Sequence, residues 1–246
     1  MKMKMKRFLL IASVALLIPC FAHSAANIVV DKAPINMDDK ESLQRGAKSF
    51  VEYCLTCHGA EFMRYNRHRD LGMSESEIFD RLIHTGQKVG ELMESSMRKK
   101  EAETWFGVAP PDLSVIARAR GADWLYTYLR AFYRDSSTVS GWNNLVFDKV
   151  AMPHVLHQLQ GQQILSTNNP KIEKASITKQ LEIAVPGIMT ESEFNNFVID
   201  LVNYMVYLGE PHAAHRKELG GMVILFLFVL LGLAYLLKKE YWRDIH

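Results

Sequence analysis

Cysteine is scarce in this chain of 246 residues, which holds only Cys20, Cys54 and Cys57. So few thiols exclude a small fold stapled by several disulfides. A strong charge of one sign is also lacking, because the formal net charge is only +2. The part of the chain between its two apolar ends is slightly acidic, and nothing in it indicates binding to nucleic acid. Internal repeats and convincing runs of alternating strand residues are absent too, which argues against a large sheet.

Charge is missing from two long apolar runs, the first of which lies at the N-terminus. Basic residues within the first seven positions precede an uncharged run from Phe8 to Ala22, and small residues follow at positions 24–26. This order is typical of a secretory signal peptide, which we place at residues 1–24 with cleavage near 24–26. An uncleaved anchor is the alternative. Cleavage would discard Cys20 and leave two cysteines in the mature chain.

The second uncharged run extends from Leu219 to Leu237 and ends at two lysines. At about 1.5 Å per residue, a helix of this length spans roughly the hydrocarbon of a bilayer. We therefore predict a transmembrane helix at 219–237 and a cytoplasmic tail at 238–246. A buried core helix is the alternative, which an apolar surface on every side disfavours. Because the signal exports the body, we expect residues 27–217 to form one periplasmic domain anchored to a bacterial inner membrane.

The two remaining cysteines belong to the motif Cys54-Leu55-Thr56-Cys57-His58. Two thiols at this spacing can reach both vinyl groups of one haem, with His58 beneath the iron as proximal ligand. A disulfide, half of a zinc site and a thioredoxin-like redox pair are the alternatives. The chain has no second ligand pair for zinc and no βαβ setting for a redox pair. The motif therefore predicts one covalently attached haem c and a protein that moves electrons.

Helical patterns flank this motif and recur near the end of the domain. Asp38 or Asp39 can cap a helix that leads into the motif, and Gly46 on its apolar face would let another helix approach closely. Thr190 and Glu193 form a capping box at the start of a second helix. The apolar positions of the first helix are Leu43, Ala47, Phe50, Val51 and Cys54. Those of the second are Phe194, Phe197, Leu201, Tyr204, Tyr207 and Leu208.

The residues alone leave the second axial ligand of the iron open. A thioether in this position suits an electron carrier, whereas an open position suits a sensor or a peroxidase. Met152 is favoured because Pro153 keeps it out of helical conformation, so that a loop can present its side chain inward. The candidates are Met63, Met73, Met93, Met97, Met152, Met189, His84, His154 and His157.

Four landmarks, in this order, make the chain resemble cytochrome c1 of the bacterial type, the haem subunit of ubiquinol–cytochrome c reductase. The resemblance covers nearly the whole mature chain. The landmarks are the haem motif followed by Gly59; Pro110-Pro111-Asp112-Leu113-Ser114 with Arg118 and Arg120; Ala151-Met152-Pro153; and Gly209-Glu210-Pro211 through His215-Arg216-Lys217 before the last helix.

The resemblance implies roles for individual residues. It makes Met152 the sixth iron ligand and places Arg120 and Tyr126 beside a haem propionate, where an arginine offers paired donors to a carboxylate. A solvated helix face is the alternative for Arg120. Pro110 and Pro111 are expected to form a rigid strip along the haem. Some family members carry a further disulfide, for which the mature chain has no cysteines left.

The resemblance also implies a fold and a function. The fold is mostly α: an enlarged class I cytochrome c-like domain with a single C-terminal transmembrane helix. Electrons would pass singly from a Rieske iron–sulfur protein to a cytochrome c, in a membrane complex that includes cytochrome b. The chain would then be a redox carrier subunit without a bond-making active site of its own.

Two other functions are compatible with the haem motif. A tethered monohaem cytochrome c that serves a terminal oxidase or another dehydrogenase would share every local motif. A haem enzyme or gas sensor would need an open iron position.

The polar segment 158–182 has the composition of a surface insertion. A small hairpin between Ile164 and Val185 is the one candidate for strand pairing.

Overall fold

The computed structural model describes residues 30–84, 86–166 and 180–243. The predicted signal peptide with Cys20 lies outside the described residues, as do the last three positions of the predicted tail. In chain order the helices and strands are α1 (Lys40–Tyr53), β1 (Ala60–Arg64), a 3-10 helix (Tyr65–Leu71), α2 (Glu75–Leu82), β2 (Leu92–Met93), α3 (Lys99–Phe106), α4 (Ile116–Arg120), α5 (Ala122–Arg130), β3 (Phe132–Arg134), β4 (Trp142–Asn144), α6 (His157–Gln160), β5 (Gly161–Leu165), β6 (Leu181–Pro186), α7 (Glu191–Gly209) and α8 (Ala213–Tyr241).

The two helices predicted from their caps and periodicity are present. The Asp39 side chain accepts a hydrogen bond from the Ser42 amide at 2.9 Å and so caps α1. Thr190 and Glu193 form the reciprocal capping box of α7, in which each side chain accepts from the other residue's amide. These bonds satisfy amides that have no partner inside the helix. The apolar positions predicted for α1 are all buried, and so are those predicted for α7 except the half-buried Phe197.

Helices α1 and α7 pack directly against each other around Gly46. A Cβ atom added to Gly46 would lie 2.0 Å from the Asp200 backbone oxygen and 2.7 Å from Tyr204 Cβ. Phe50 packs on Tyr204 beside this contact, with 5.6 Å between ring centroids. The close approach predicted for Gly46 is therefore confirmed, and it brings the residues before the Cys54 motif against the aromatic face of α7.

The described strands form three antiparallel ribbons of two strands each: β1 with β2, β3 with β4, and β5 with β6. The third ribbon pairs Gly161 with Pro186 and Leu165 with Leu181, so the predicted hairpin is confirmed and slightly longer than expected. Its first strand is more than a surface insertion. Gln163 is buried, and its amide donates to the backbone oxygens of Arg130 and Phe132 at 2.9 and 2.8 Å.

Helix α8 differs from the other described helices because its apolar side chains are exposed. Residues His215–Tyr241 make it the one helix of the described ranges that is long and apolar enough to cross a bilayer. Its 27 residues correspond to about 40 Å at 1.5 Å per residue. The helix begins at Ala213, a few residues inside the predicted domain limit of 217, and Arg216 in its first turn pairs at 2.7 Å with Glu210, which precedes the helix.

Candidate functional site

The two cysteines lie on a tight turn that follows the end of α1. The amides of Cys57 and His58 both donate to the Cys54 backbone oxygen, at 3.1 and 2.8 Å. Cys54 is buried, Cys57 is half-buried, and neither takes part in a disulfide. Burial raises the pKa of the Cys54 thiol to about 12, with a smaller contribution from Cys57. The turn therefore holds two neutral thiols and the histidine that follows them within one short segment.

The imidazole of His58 is oriented by a residue far along the chain. Its Nδ1 lies 2.8 Å from the Pro111 backbone oxygen, which can only accept a hydrogen bond. Nδ1 therefore carries the proton and Nε2 keeps its lone pair, which is the tautomer that a metal ligand needs. Burial lowers the pKa of His58, while the Pro111 carbonyl and the Asp112 charge oppose this shift. Burial thus favours the neutral ring, and the Pro111 bond fixes which of its nitrogens is free.

The segment around Pro111 is bonded to the strand that follows the haem motif. The Leu113 amide donates to the Gly59 backbone oxygen at 2.8 Å. Asp112 accepts from the amides of Glu61 and Ser114, each at 2.8 Å. The Ser114 hydroxyl accepts a hydrogen bond from the amide of Phe62, the next residue of β1, at 3.0 Å. Sequence reasoning used this segment as a landmark and expected Pro110 and Pro111 to lie along the haem, which stays a prediction. It missed that Asp112 and Ser114 hold the carbonyl that orients His58.

Substitution of Asp112 by alanine tests this bonding. Two backbone amides would lose their acceptor, so we expect unfolding to become easier by about 1–3 kcal/mol. Asp112→Asn keeps one carbonyl oxygen as an acceptor and should lose less. Chemical denaturation of the three proteins measures both changes, and equal stability of wild type and Asp112→Ala would contradict the assigned role.

Met152 lies in the loop between β4 and α6 and is half-buried. It packs against a small cluster formed by Phe132, Trp142 and Val150. The Tyr128 hydroxyl on α5 lies 3.4 Å from the Met152 sulfur. Several rival methionines have a different setting: Met63, Met73 and Met93 are buried in the main core. The role of Met152 as an iron ligand stays a prediction, and its loop position agrees with what Pro153 suggested.

The two residues that were expected beside a propionate have different surroundings in this structure. Arg120 is exposed, and its guanidinium carbon lies 5.2 Å from the centre of the Trp124 ring. Tyr126 is buried, and the guanidinium of Arg130 covers its ring at 3.8 Å. Residues two apart on a helix point about 200° apart, so Tyr126 does not share the face of α5 on which Trp124 contacts Arg120. The propionate contacts of Arg120 and Tyr126 stay predictions.

The two candidate histidines near Met152 have different surroundings, and neither is tested as an iron ligand. His154 is buried with its ring parallel to Phe132 at 4.9 Å and edge-on to Trp142 at 5.1 Å. Burial lowers the pKa of His154 to about 3. His157 bonds to the backbone oxygen of His154 at 2.9 Å. Within the described ranges, His, Cys, Asp and Glu side chains form no group of three that could hold a metal ion by themselves.

Two free thiols on one turn, followed by a neutral histidine with a free Nε2, are the donor set of a c-type haem, so the residues present fit this group. Residues 31–245 match the sequence model of the Cytochrome C1 family. The chain belongs to the cytochrome c1 family, whose cofactor is haem c and whose role is electron transfer. Its fold is the family's mostly helical fold.

Individual relatives carry different names. "Cytochrome c1" of Allochromatium vinosum is 41% identical over 248 residues, which cover 100% of this chain and 99% of that protein. "Ammonia monooxygenase gamma subunit" of Nitrosomonas europaea is 69% identical over 245 residues, which cover 99% of this chain and 100% of that protein. Among solved structures, a chain described as "Hyperthermophilic respiratory Complex III" is 16% identical with a TM-score of 0.46. The match covers 99% of this chain and 98% of that chain.

Proposed function

We propose that this chain is the membrane-anchored haem subunit of a ubiquinol–cytochrome c reductase. It takes single electrons from a Rieske iron–sulfur protein and passes them to a cytochrome c. The observation that carries the proposal is the bond of His58 to the Pro111 carbonyl, which leaves Nε2 free at the end of a Cys-x-x-Cys-His turn in a cytochrome c1 chain. An electron carrier needs this rigid, preset ligand because its geometry should change little between redox states.

Each residue of the site has a distinct part in this proposal. When bound, haem c supplies the one-electron couple between ferric and ferrous iron. Cys54 and Cys57 would hold it through thioether bonds, and His58 and Met152 would be the axial ligands. Arg120, exposed at the end of α4, can place its guanidinium beside a propionate. With both axial positions filled, oxygen activation at this haem is not expected.

Helix α8 would anchor the haem domain to an inner membrane. In water, its uncovered apolar side chains would be costly, at roughly 25 cal/mol per Å² of apolar surface, whereas lipid accommodates them. With the haem domain in the periplasm and Lys238 and Lys239 on the cytoplasmic side, the orientation follows the positive-inside rule. Anchoring would keep the chain beside cytochrome b and its electron donor at high effective concentration.

A second set of partners is raised by the relative named as a subunit of ammonia monooxygenase. That relative is aligned over its whole length, so we take the complex to which it belongs as a second candidate for this chain. A terminal oxidase or another dehydrogenase is a third possible partner. The match to the Cytochrome C1 family over residues 31–245, together with the relative named cytochrome c1, favours the reductase.

Purification from native membranes discriminates between these partners. The full chain would carry an affinity tag after residue 246 and be isolated in mild detergent, with mass spectrometry of the proteins that accompany it. We expect a cytochrome b and a Rieske protein in amounts equal to the chain. A matched chain that ends at residue 218, without the apolar helix, should lose cytochrome b. Monooxygenase or oxidase subunits in place of these two proteins would overturn the proposal.

A further inference from the structure

The hydroxyl of Tyr128 makes one hydrogen bond among those of the described residues, and its acceptor is a sulfur. Met152 has no proton to donate, so the hydroxyl donates to the Sδ atom across 3.4 Å. The other tyrosine that approaches a methionine behaves differently. Tyr204 lies 3.5 Å from Met93 Sδ but also 2.7 Å from His68 Nε2, which competes for the same proton. The hydroxyl proton of Tyr128 is therefore donated to Met152 alone among the described residues.

The ring of Tyr128 is held in place from two sides. It stacks on Trp124 with ring centroids 4.8 Å apart and planes 11° apart, and it meets the edge of Phe132 at 5.1 Å. Trp124 and Tyr128 lie four residues apart on α5, and Trp124 in turn lies beneath the guanidinium of Arg120, the last residue of α4, so the three side chains form one row across the junction of the two helices. The row ends at the Met152 sulfur, so the two ends of the row are two residues predicted to touch the haem.

The loop that carries Met152 is tied to the same helix by Asn144. This side chain is buried, donates to the Tyr128 backbone oxygen at 2.8 Å and accepts from the Val146 amide at 2.8 Å. Asn143 accepts from the Lys149 amide at 2.9 Å further along the loop. Tyr128 and the loop of Met152 are thus fixed to each other through backbone as well as side-chain bonds.

We infer that Tyr128 is a positioning residue for the axial thioether: its hydroxyl occupies one lone pair of Met152 Sδ, leaves the other for iron and raises the reduction potential of the haem. This inference rests on the proposed role of Met152 as the sixth ligand. A hydrogen bond to sulfur withdraws electron density from it. Ferric iron depends more on that density than ferrous iron does, so the bond favours the ferrous state.

The variant Tyr128→Phe removes only the hydroxyl and keeps the ring that stacks on Trp124. In the haem-loaded full chain, we expect the ferric–ferrous equilibrium to shift toward ferric by about two- to tenfold, the range that one ordinary hydrogen bond can supply. The far-red absorption band of methionine-ligated ferric haem should remain but move. Redox titration and absorption spectra of the purified chain measure both.

The matched control is Tyr207→Phe. Tyr207 is buried, whereas Tyr128 is half-buried; among the described residues its hydroxyl also makes one hydrogen bond, to the Arg67 backbone oxygen at 3.2 Å, and its partner is not Met152. It should lose a similar amount of stability with an unchanged potential. An unchanged potential and band in Tyr128→Phe would overturn the inference. If the wild-type chain itself lacked haem or the methionine band, the proposed function would be at fault instead.

Discussion

Replacing Gly46 with alanine should destabilise the protein by about 3 kcal/mol or prevent its folding. The new Cβ would lie 2.0 Å from the Asp200 backbone oxygen, a distance that no side-chain rotation relieves. Helices α1 and α7 would have to separate along their whole contact, and such overpacking commonly costs 1–3 kcal/mol or more. Because α1 leads directly into Cys54, we also expect less haem-loaded protein. Thermal unfolding and the haem content of purified membranes measure the two effects.

The control for this substitution is Gly90→Ala, since a Cβ atom at Gly90 would meet nothing within 4 Å. It should leave stability unchanged or raise it by a few tenths of a kcal/mol, because alanine restricts the unfolded chain. Equal stability of Gly46→Ala and Gly90→Ala would contradict the direct helix contact described for residue 46.

Replacing Met152 with alanine should convert the protein from an electron carrier into one that binds small molecules. If Met152 is the sixth ligand, its loss opens one side of the iron. Ferrous protein should then bind carbon monoxide stoichiometrically, whereas the wild type should bind almost none. The far-red band should disappear and the potential should fall, because a thioether ligand favours ferrous iron. Titration with carbon monoxide, followed by absorption, measures the change.

Met189→Ala is the matched control, since Met189 is also half-buried but packs against the main core. It should lose packing energy without gaining carbon monoxide binding. A Met152→Ala protein that kept the wild-type spectrum would show that another residue fills the sixth position.

Local features explain why much of this protein could be predicted from its sequence. The haem motif is contained in five consecutive residues, and the caps of α1 and α7 are set by residues within three positions of each other. The apolar stripe of each helix follows the helical period. Gly46 could be assigned because a glycine on a strongly apolar face has few other uses.

The remaining features depend on contacts between distant parts of the chain. Asp112 bonds to the strand at Glu61, some fifty positions earlier, and no local pattern links the two. The pairing of Tyr128 with Met152 depends on how a loop returns to α5. The expectation that Tyr126 and Arg120 both lie beside a propionate came from the resemblance and stays a prediction. Trp124 contacts Arg120 across the junction of α4 and α5, and Tyr126 lies against Arg130 on α5; a single helical period does not describe the first of these contacts.

The intact mass of the mature chain, purified from its native host and denatured, tests the central claim most directly. Thioether bonds survive denaturation, so we predict the mass of the signal-cleaved polypeptide plus one haem. A Cys54→Ala, Cys57→Ala double variant should show the polypeptide alone. A wild-type chain without any added porphyrin mass would contradict the assignment of Cys54 and Cys57 as haem attachment sites and, with it, the proposed path for electrons.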